Sequence, residues 1–252
     1  MKSIGIIGAG NVAHHLALAL KNAGHNICWV YGRNNLEIKT LASIVGSIAK
    51  TEFPSYEPDL VLLCVSDDAI ASLLNEVPNN WNVAYTSGTV EIVDLKSGHE
   101  NLGVFYPLQS FSKNRFVALQ EVPFLIEGNN FQIAQELHDL ASTISNSVQF
   151  VSSKDRKSIH LAAVFCNNFV NHLLYQAEKI AEEQEVDFKL LQPLLFETIK
   201  KAMDLGPLNA QTGPAKRHDL QTIEKQTAML EGMSQAIYQT MTKSILETYI
   251  NA

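Results

Sequence analysis

The chain opens with Ile4-Gly5-Ile6-Ile7-Gly8-Ala9-Gly10-Asn11-Val12-Ala13 and runs straight into an amphipathic stretch over residues 12–23. An apolar run, a glycine turn and a stripe of apolar residues at helical spacing read as strand, turn and helix. Each small residue has its own physical reason. Gly8 permits the sharp turn, Gly10 lets a pyrophosphate approach the backbone, and Ala13 is small enough for the helix to pack on the strand. Asn11 and Val12 lie in the first helical turn, where unpaired N–H groups and a partial positive charge favour phosphate.

Such glycine spacing also occurs in plain structural turns, so its context must decide. The helical pattern stops at Lys21-Asn22-Ala23-Gly24, and Asn26–Tyr31 follows as a short β-branched and aromatic run. This completes a βαβ unit, the context that dinucleotide binding requires. Residues 44–50 lead into a strand, further strands are predicted at 59–65, 83–86, 102–106, 123–126 and 148–151, and helices at 36–45, 67–75 and 131–144. The alternation predicts an α/β fold with a doubly wound, mostly parallel sheet. After Ser152 strand signals vanish, and three long helical stretches follow at 154–184, 190–205 and 220–250. Two domains are therefore expected: a dinucleotide-binding domain over 1–152 and an all-α domain over 153–252. Long helices with apolar stripes pair readily with a twin subunit, so a homodimer through the helical part is expected.

The 252 residues carry a formal charge of −7 without a basic run, which argues against nucleic acid or an anionic membrane as the main partner. Cys28, Cys64 and Cys166 stand in apolar surroundings without metal-ligand spacing, and read as buried thiols in a reducing compartment. The eight histidines suggest no zinc site. The apolar run after Lys2 is broken by glycines and flows into the fold, unlike a signal peptide. With no apolar segment reaching the roughly 20 residues a bilayer demands, a cytoplasmic protein is expected.

NAD is held by an acidic residue at the end of the second strand, on the ribose hydroxyls. Here that position reads Tyr31-Gly32-Arg33-Asn34. Arg33 is placed to pair with a 2′-phosphate, which selects NADPH; the alternative is a solvated residue beside a helix cap.

Several segments carry a family resemblance. Gly8-Ala9-Gly10-Asn11-Val12-Ala13, Tyr31-Gly32-Arg33-Asn34 and Val65-Ser66-Asp67-Asp68-Ala69-Ile70 are similar to the pyrroline-5-carboxylate reductase and β-hydroxyacid dehydrogenase superfamily. Thr86-Ser87-Gly88, Tyr106-Pro107-Leu108-Gln109, His160-Leu161-Ala162-Ala163, Asn167-Asn168 and 212–219 (Thr-Gly-Pro-Ala-Lys-Arg-His-Asp) resemble one branch of it. That branch joins a Rossmann-like domain to a C-terminal helical domain of unknown function, and its members are labelled NADP-dependent oxidoreductases. Tyr85 and Tyr106 stand where the branch often has histidines. The resemblance implies that Ser66, Ser87 and Gly88 border the nicotinamide half of the cofactor. Ser66 is equally a candidate helix N-cap.

Reduction of a carbonyl or imine needs a proton donor and a polar clamp beside the acceptor atom. His160, Val164, Asn167 or Asn168, and Asn171 recur at helical spacing, which lines up a histidine and amides on one face. Superfamily relatives use a lysine or histidine with an asparagine on the equivalent helix, which implies His160 as proton donor with Asn167 or Asn168 orienting substrate. A structural histidine with amides at a dimer seam is the alternative. Arg217 is a candidate clamp for a substrate carboxylate, or a partner of a neighbouring acid, and Asp219 reads as a helix cap. The function expected is NADPH-dependent reduction of a small ketone, imine or hydroxyacid-type substrate. A non-catalytic NADP(H)-binding sensor is the runner-up, and a methyltransferase using S-adenosylmethionine comes third, since it leaves Arg33 and the helical domain unexplained.

Overall fold

A computed structural model describes residues 1–250. Eight strands form one sheet in the order β3-β2-β1-β4-β5-β6-β7-β8. They are β1 (Ser3–Ile7), β2 (Asn26–Tyr31), β3 (Ile48–Lys50), β4 (Leu60–Leu63), β5 (Val83–Tyr85), β6 (Leu102–Pro107), β7 (Phe124–Gly128) and β8 (Val148–Phe150). All neighbours are parallel except β6 and β7, which run antiparallel with Tyr106 opposite Leu125 and Val104 opposite Glu127. The strand order turns outward in both directions from β1 and β4, and ligands of open α/β sheets bind beyond the strand ends at such a switch point.

Four helices, α1 (Asn11–Asn22), α2 (Asn35–Val45), α3 (Asp67–Leu74) and α4 (Phe131–Ser142), alternate with the strands. Leu16, Leu20, Ile38, Leu41, Leu137 and Leu140 of α1, α2 and α4 share one core with Ile4, Ile6, Leu60 and Leu62. Ile70 and Leu74 of α3 share a second core with Val61, Leu63, Tyr85 and Val104. Alternate residues of β1 and β4 thus serve opposite faces, as a sheet covered on both sides demands. Burying each fully enclosed Leu or Ile contributes about 1.5–3 kcal/mol. The ends are set locally. The Asn34 side chain accepts from the Leu36 and Glu37 amides to start α2, and Gly46, with φ +67°, stops it.

By compactness the chain divides into Met1–Asn168 and the rest from Phe169 onward. The first unit therefore includes α5 (Ser153–Ala163) and all but the last residue of a single π-helical turn, Val164–Phe169, beyond the point where the strand pattern stops. The second unit contains α6 (Val170–Glu183), α7 (Gln192–Leu205), α8 (Pro207–Ala210), α9 (Leu220–Ala228) and α10 (Gly232–Tyr249). Two of the expected long helices are not continuous. The stretch over 154–184 is interrupted by the π turn, and that over 220–250 breaks at Met229–Glu231, before Gly232 at φ +57°. No described helix is long and apolar enough to cross a membrane.

Candidate active site

A cleft of about 770 Å³ opens at the strand ends beside β1 and β4. The ladder is pulled together there by backbone bonds from Gly8 N–H to the Tyr31 carbonyl (2.8 Å) and from Cys64 N–H to the Ile7 carbonyl (2.8 Å). Gly8 has φ +108°, and a Cβ at this position would collide with the Cys64 carbonyl oxygen. Only glycine fits the turn. Around Gly10 the situation is reversed, for a Cβ there would meet nothing within 4 Å. The space above Gly10 belongs to the cleft, and α1 begins beside it with no side-chain cap. A backbone cradle left open by glycine, at an uncapped helix N-terminus, fits a pyrophosphate. Val12 also lines the cleft, whereas Ala13 is buried against the sheet. The Asn11 side-chain oxygen accepts from the Lys113 amide at 3.2 Å, tying the turn to a distant loop.

Among the described residues, Arg33 is the only cation lining the cleft. It is exposed, and its side chain makes no hydrogen bond or ion pair among the described residues; the capping work falls to Asn34. Ser66 lines the cleft at the N-cap position of α3 without making a side-chain cap bond, so its hydroxyl is uncommitted. The loop after β5 contributes Thr86 to the same cleft. The Ser87 hydroxyl instead accepts from the Thr89 and Val90 amides at 3.1 and 3.0 Å and fixes the loop after β5. Thr89 donates to the Asp67 carboxylate, which adds a second tie.

Gly88, on that loop, packs against two residues of a second cavity. A Cβ there would lie 2.5 Å from His160 Nδ1 and 2.9 Å from Tyr106 Cζ. The absent side chain lets the loop backbone press on both rings. Tyr106 Oη and His160 Nδ1 form a hydrogen bond of 2.9 Å, with the rings edge to face. Burial holds the Tyr106 phenol above its ordinary pKa, and the nearby Asp67 carboxylate adds to the effect while Arg156 opposes it. Tyr106 therefore keeps its proton at neutral pH and remains able to donate.

Tyr106, His160, Val164, Asn167 and Asn168 line this cavity of about 650 Å³, together with Leu108, Gln109 and Ser110. The π turn carries Cys166 and both asparagines to the wall. One extra residue in the turn changes which side chains share a face, and Asn171 is not among the lining residues. One expectation needs correction. Cys166 is exposed, not a buried thiol. The Asn167 and Asn168 side chains are also exposed and unbonded among the described residues, within a stretch exposed throughout from Phe165 to Val170. Cys64 is buried, its thiol pushed up to about 12 by desolvation, and Cys28 is half-buried.

Tyr106 is a participant with no role in the sequence pattern; its place near the end of β6, just before Pro107-Leu108-Gln109, is the one local signal for it. Arg217 lies in the second unit, exposed, in the turn that precedes α9. Asp219 beside it accepts from the Thr222 amide at 3.1 Å as the cap of α9. Thr222 holds its carboxyl below the ordinary range. No cluster of three or more potential metal ligands occurs among the described residues.

Residues 3–85 match the family described as NADP oxidoreductase, coenzyme F420-dependent, and residues 122–245 match a domain of unknown function, DUF2520. No curated protein matches the chain significantly. Among solved structures, a Bacteroides fragilis protein whose name assigns it to the NADP oxidoreductases is 36% identical over 98% of both chains, with a TM-score of 0.91. A Thermotoga maritima protein is 21% identical over 98% of this chain and 100% of its own, at a TM-score of 0.81. The 1-pyrroline-5-carboxylate reductase of Streptococcus pyogenes shares the fold at 15% identity, over 98% of both chains, with a TM-score of 0.64. The chain thus belongs to a family of NADP oxidoreductases in which a Rossmann-like domain, with NADP(H) as cofactor, is joined to a helix-rich C-terminal domain of unknown function.

Proposed function

We propose that the protein is an NADPH-dependent reductase of a small ketone, imine or hydroxyacid-type substrate, with His160 as the proton donor. One observation carries this reading. The loop after β5 contributes Thr86 to the cofactor cleft and, two residues later, presses Gly88 onto the hydrogen-bonded pair Tyr106 and His160. A group able to give a proton therefore sits next to the end of the cleft where the resemblance puts the nicotinamide. NADPH supplies a hydride when bound. The chain's part is to hold the acceptor, exclude water and deliver a proton to the oxygen or nitrogen that gains negative charge.

Within this reading, Arg33 grips the 2′-phosphate. Gly8, Gly10, Asn11, Val12 and Ala13 form the pyrophosphate turn, and the Ser66 hydroxyl and the Ser87-Gly88 loop border the nicotinamide. Asn167 and Asn168, with free amides in the cavity wall, orient the substrate. Arg217 is the clamp for a substrate carboxylate, so Arg217→Met should raise KM for acids and spare neutral substrates. Unchanged KM for acids would remove it from the site.

Two copies are inferred to pair through the helical unit. In α7 no residue is buried, and Phe196, Ile199 and Met203, which share one face at spacings of three and four, are 75%, 55% and 74% exposed. A lone soluble chain rarely leaves so much contiguous apolar surface in water. Sedimentation velocity should give a dimer, and a monomer at micromolar concentration would contradict the pairing. Three free thiols fit a reducing cytoplasm.

The test is NADPH oxidation, followed by loss of its absorbance, against a panel of ketones, keto acids and cyclic imines. Turnover with at least one class, reduced about 10²-fold or more in His160→Gln, is expected. Tight NADPH binding without turnover across the panel would favour the sensor reading. That reading draws on the absence of a lysine among the cavity's lining residues.

A further inference from the structure

We infer that Arg156 is a positioning residue that fixes the orientation and tautomer of His160. Arg156 and His160 lie four residues apart on α5, on successive turns of one face. The neighbours of Arg156 in sequence, Lys154, Asp155, Lys157 and Ser158, are exposed, yet Arg156 is 0% exposed. Its guanidinium donates to the Glu127 carboxylate on β7 and to the Val90 carbonyl on the loop after β5. Glu127 in turn accepts from the Ser153 hydroxyl at 2.8 Å, and the Val90 carbonyl accepts from Tyr85 Oη at 3.0 Å. One planar fork thereby joins β5, β7, the Gly88 loop and α5.

A buried ion pair gives little net stability, because desolvation offsets the attraction. What this one supplies is registration. The carbonyl it grips is two residues from Gly88, whose backbone lies against the His160 ring. The same edge of the imidazole is held by Tyr106, bonded to Nδ1 at 2.9 Å. With the loop and α5 locked together, Tyr106 donates to Nδ1 and the proton of neutral His160 resides on Nε2. A lysine at position 156 would keep the charge but lose the fork that reaches two acceptors at once.

The inference rests on the proton-donor reading of His160 only for its effect on turnover, and its primary test needs no substrate. Ring-nitrogen NMR of the full chain labelled with ¹⁵N-histidine, well above the ordinary histidine pKa, reports the tautomer. The His160 signals are assigned by their loss in His160→Gln. In the wild-type protein a single Nε2–H tautomer is expected; a mixture overturns the inference at once. In Arg156→Lys and Glu127→Gln the signals should move to the averaged positions of exchanging tautomers. NADPH affinity should stay within about 2-fold, and kcat on any panel substrate should fall toward 10²-fold, the scale of a misplaced catalytic group. If Arg156→Lys fails to fold, Glu127→Gln decides alone. An unchanged single tautomer in the folded variants assigns Arg156 a merely structural role. Averaged signals without turnover by the wild-type protein would keep the positioning role and discard the proton-donor reading.

Discussion

The cofactor cleft and the His160 cavity lie in the same compact unit and are built by different means. The cleft is mainly a backbone device: Gly8, Gly10 and the uncapped start of α1 come from one short segment, and Arg33 is its one cation among the described residues. The cavity is a side-chain device. Gly88, Tyr106, His160 and the amides of the π turn come from three distant stretches and meet only because the sheet and α5 bring them together. The first kind of site tolerates changes around it as long as the turn survives. The second depends on supports such as Arg156 that touch neither ligand.

The largest expected effect sharpens this division. His160→Gln should lower turnover by about 10²–10⁴-fold, the usual weight of a general acid, and leave NADPH affinity within about 2-fold. Stopped-flow and calorimetric data on one preparation would show both, and a parallel loss of binding would merge the two regions into one.

Next come the two glycines of the turn, which should separate stability from binding. Gly8→Ala should cost about 2 kcal/mol or more of folding stability, from the left-handed backbone and the collision with Cys64. Gly10→Ala has room for its Cβ and should stay within about 1 kcal/mol of wild type in urea melts while binding NADPH more weakly. Equal behaviour of the two variants would break the account of the cradle.

Arg33→Ala is expected to weaken NADPH by about 10-fold or more, the worth of a charge-assisted hydrogen bond to phosphate, with little change for NADH. Equal losses for both nucleotides would remove Arg33 from the 2′-phosphate.

The smallest effects are those of pH on stability. Burial raises the folded-state pKa of Tyr85, Tyr106 and Cys64. Their contribution is complete below the ordinary thiol value of 9.0 and is lost as pH rises through the raised values. His25 and His99 are lowered by burial, Asp59 by its bonds from Ser3, and Glu136 by Lys2. Their contribution is present above the ordinary histidine value of 6.5 and declines as pH falls through the lowered values. Thermal melts should therefore show a plateau between about pH 7 and 9; a maximum in the acid range would contradict these environments.

How much of this was legible in the sequence follows the same division. The βαβ opening, the strand expected over 59–65 and found at Leu60–Leu63, the strand over 102–106 and the cap at Asp219 are local patterns, and the structure has them. The antiparallel turn of β7 against β6 is not local, because a long connection separates the two strands. Nothing in Val164-Phe165-Cys166-Asn167-Asn168-Phe169 announces a π turn, which inserts a residue without a glycine or proline to mark it. The break before α10 falls just ahead of Gly232, inside the helical stretch expected over 220–250, where one glycine outweighs the continuing helical pattern. Arg156 sits among exposed charged residues and reads as solvated; only Glu127 and Val90, supplied by the fold, reveal it as buried.

The most direct measurement is calorimetric titration of the full chain with NADPH and NADH side by side. The account predicts tight NADPH binding, clearly stronger than NADH. Absence of binding by either nucleotide, or equal affinity for both, would contradict it.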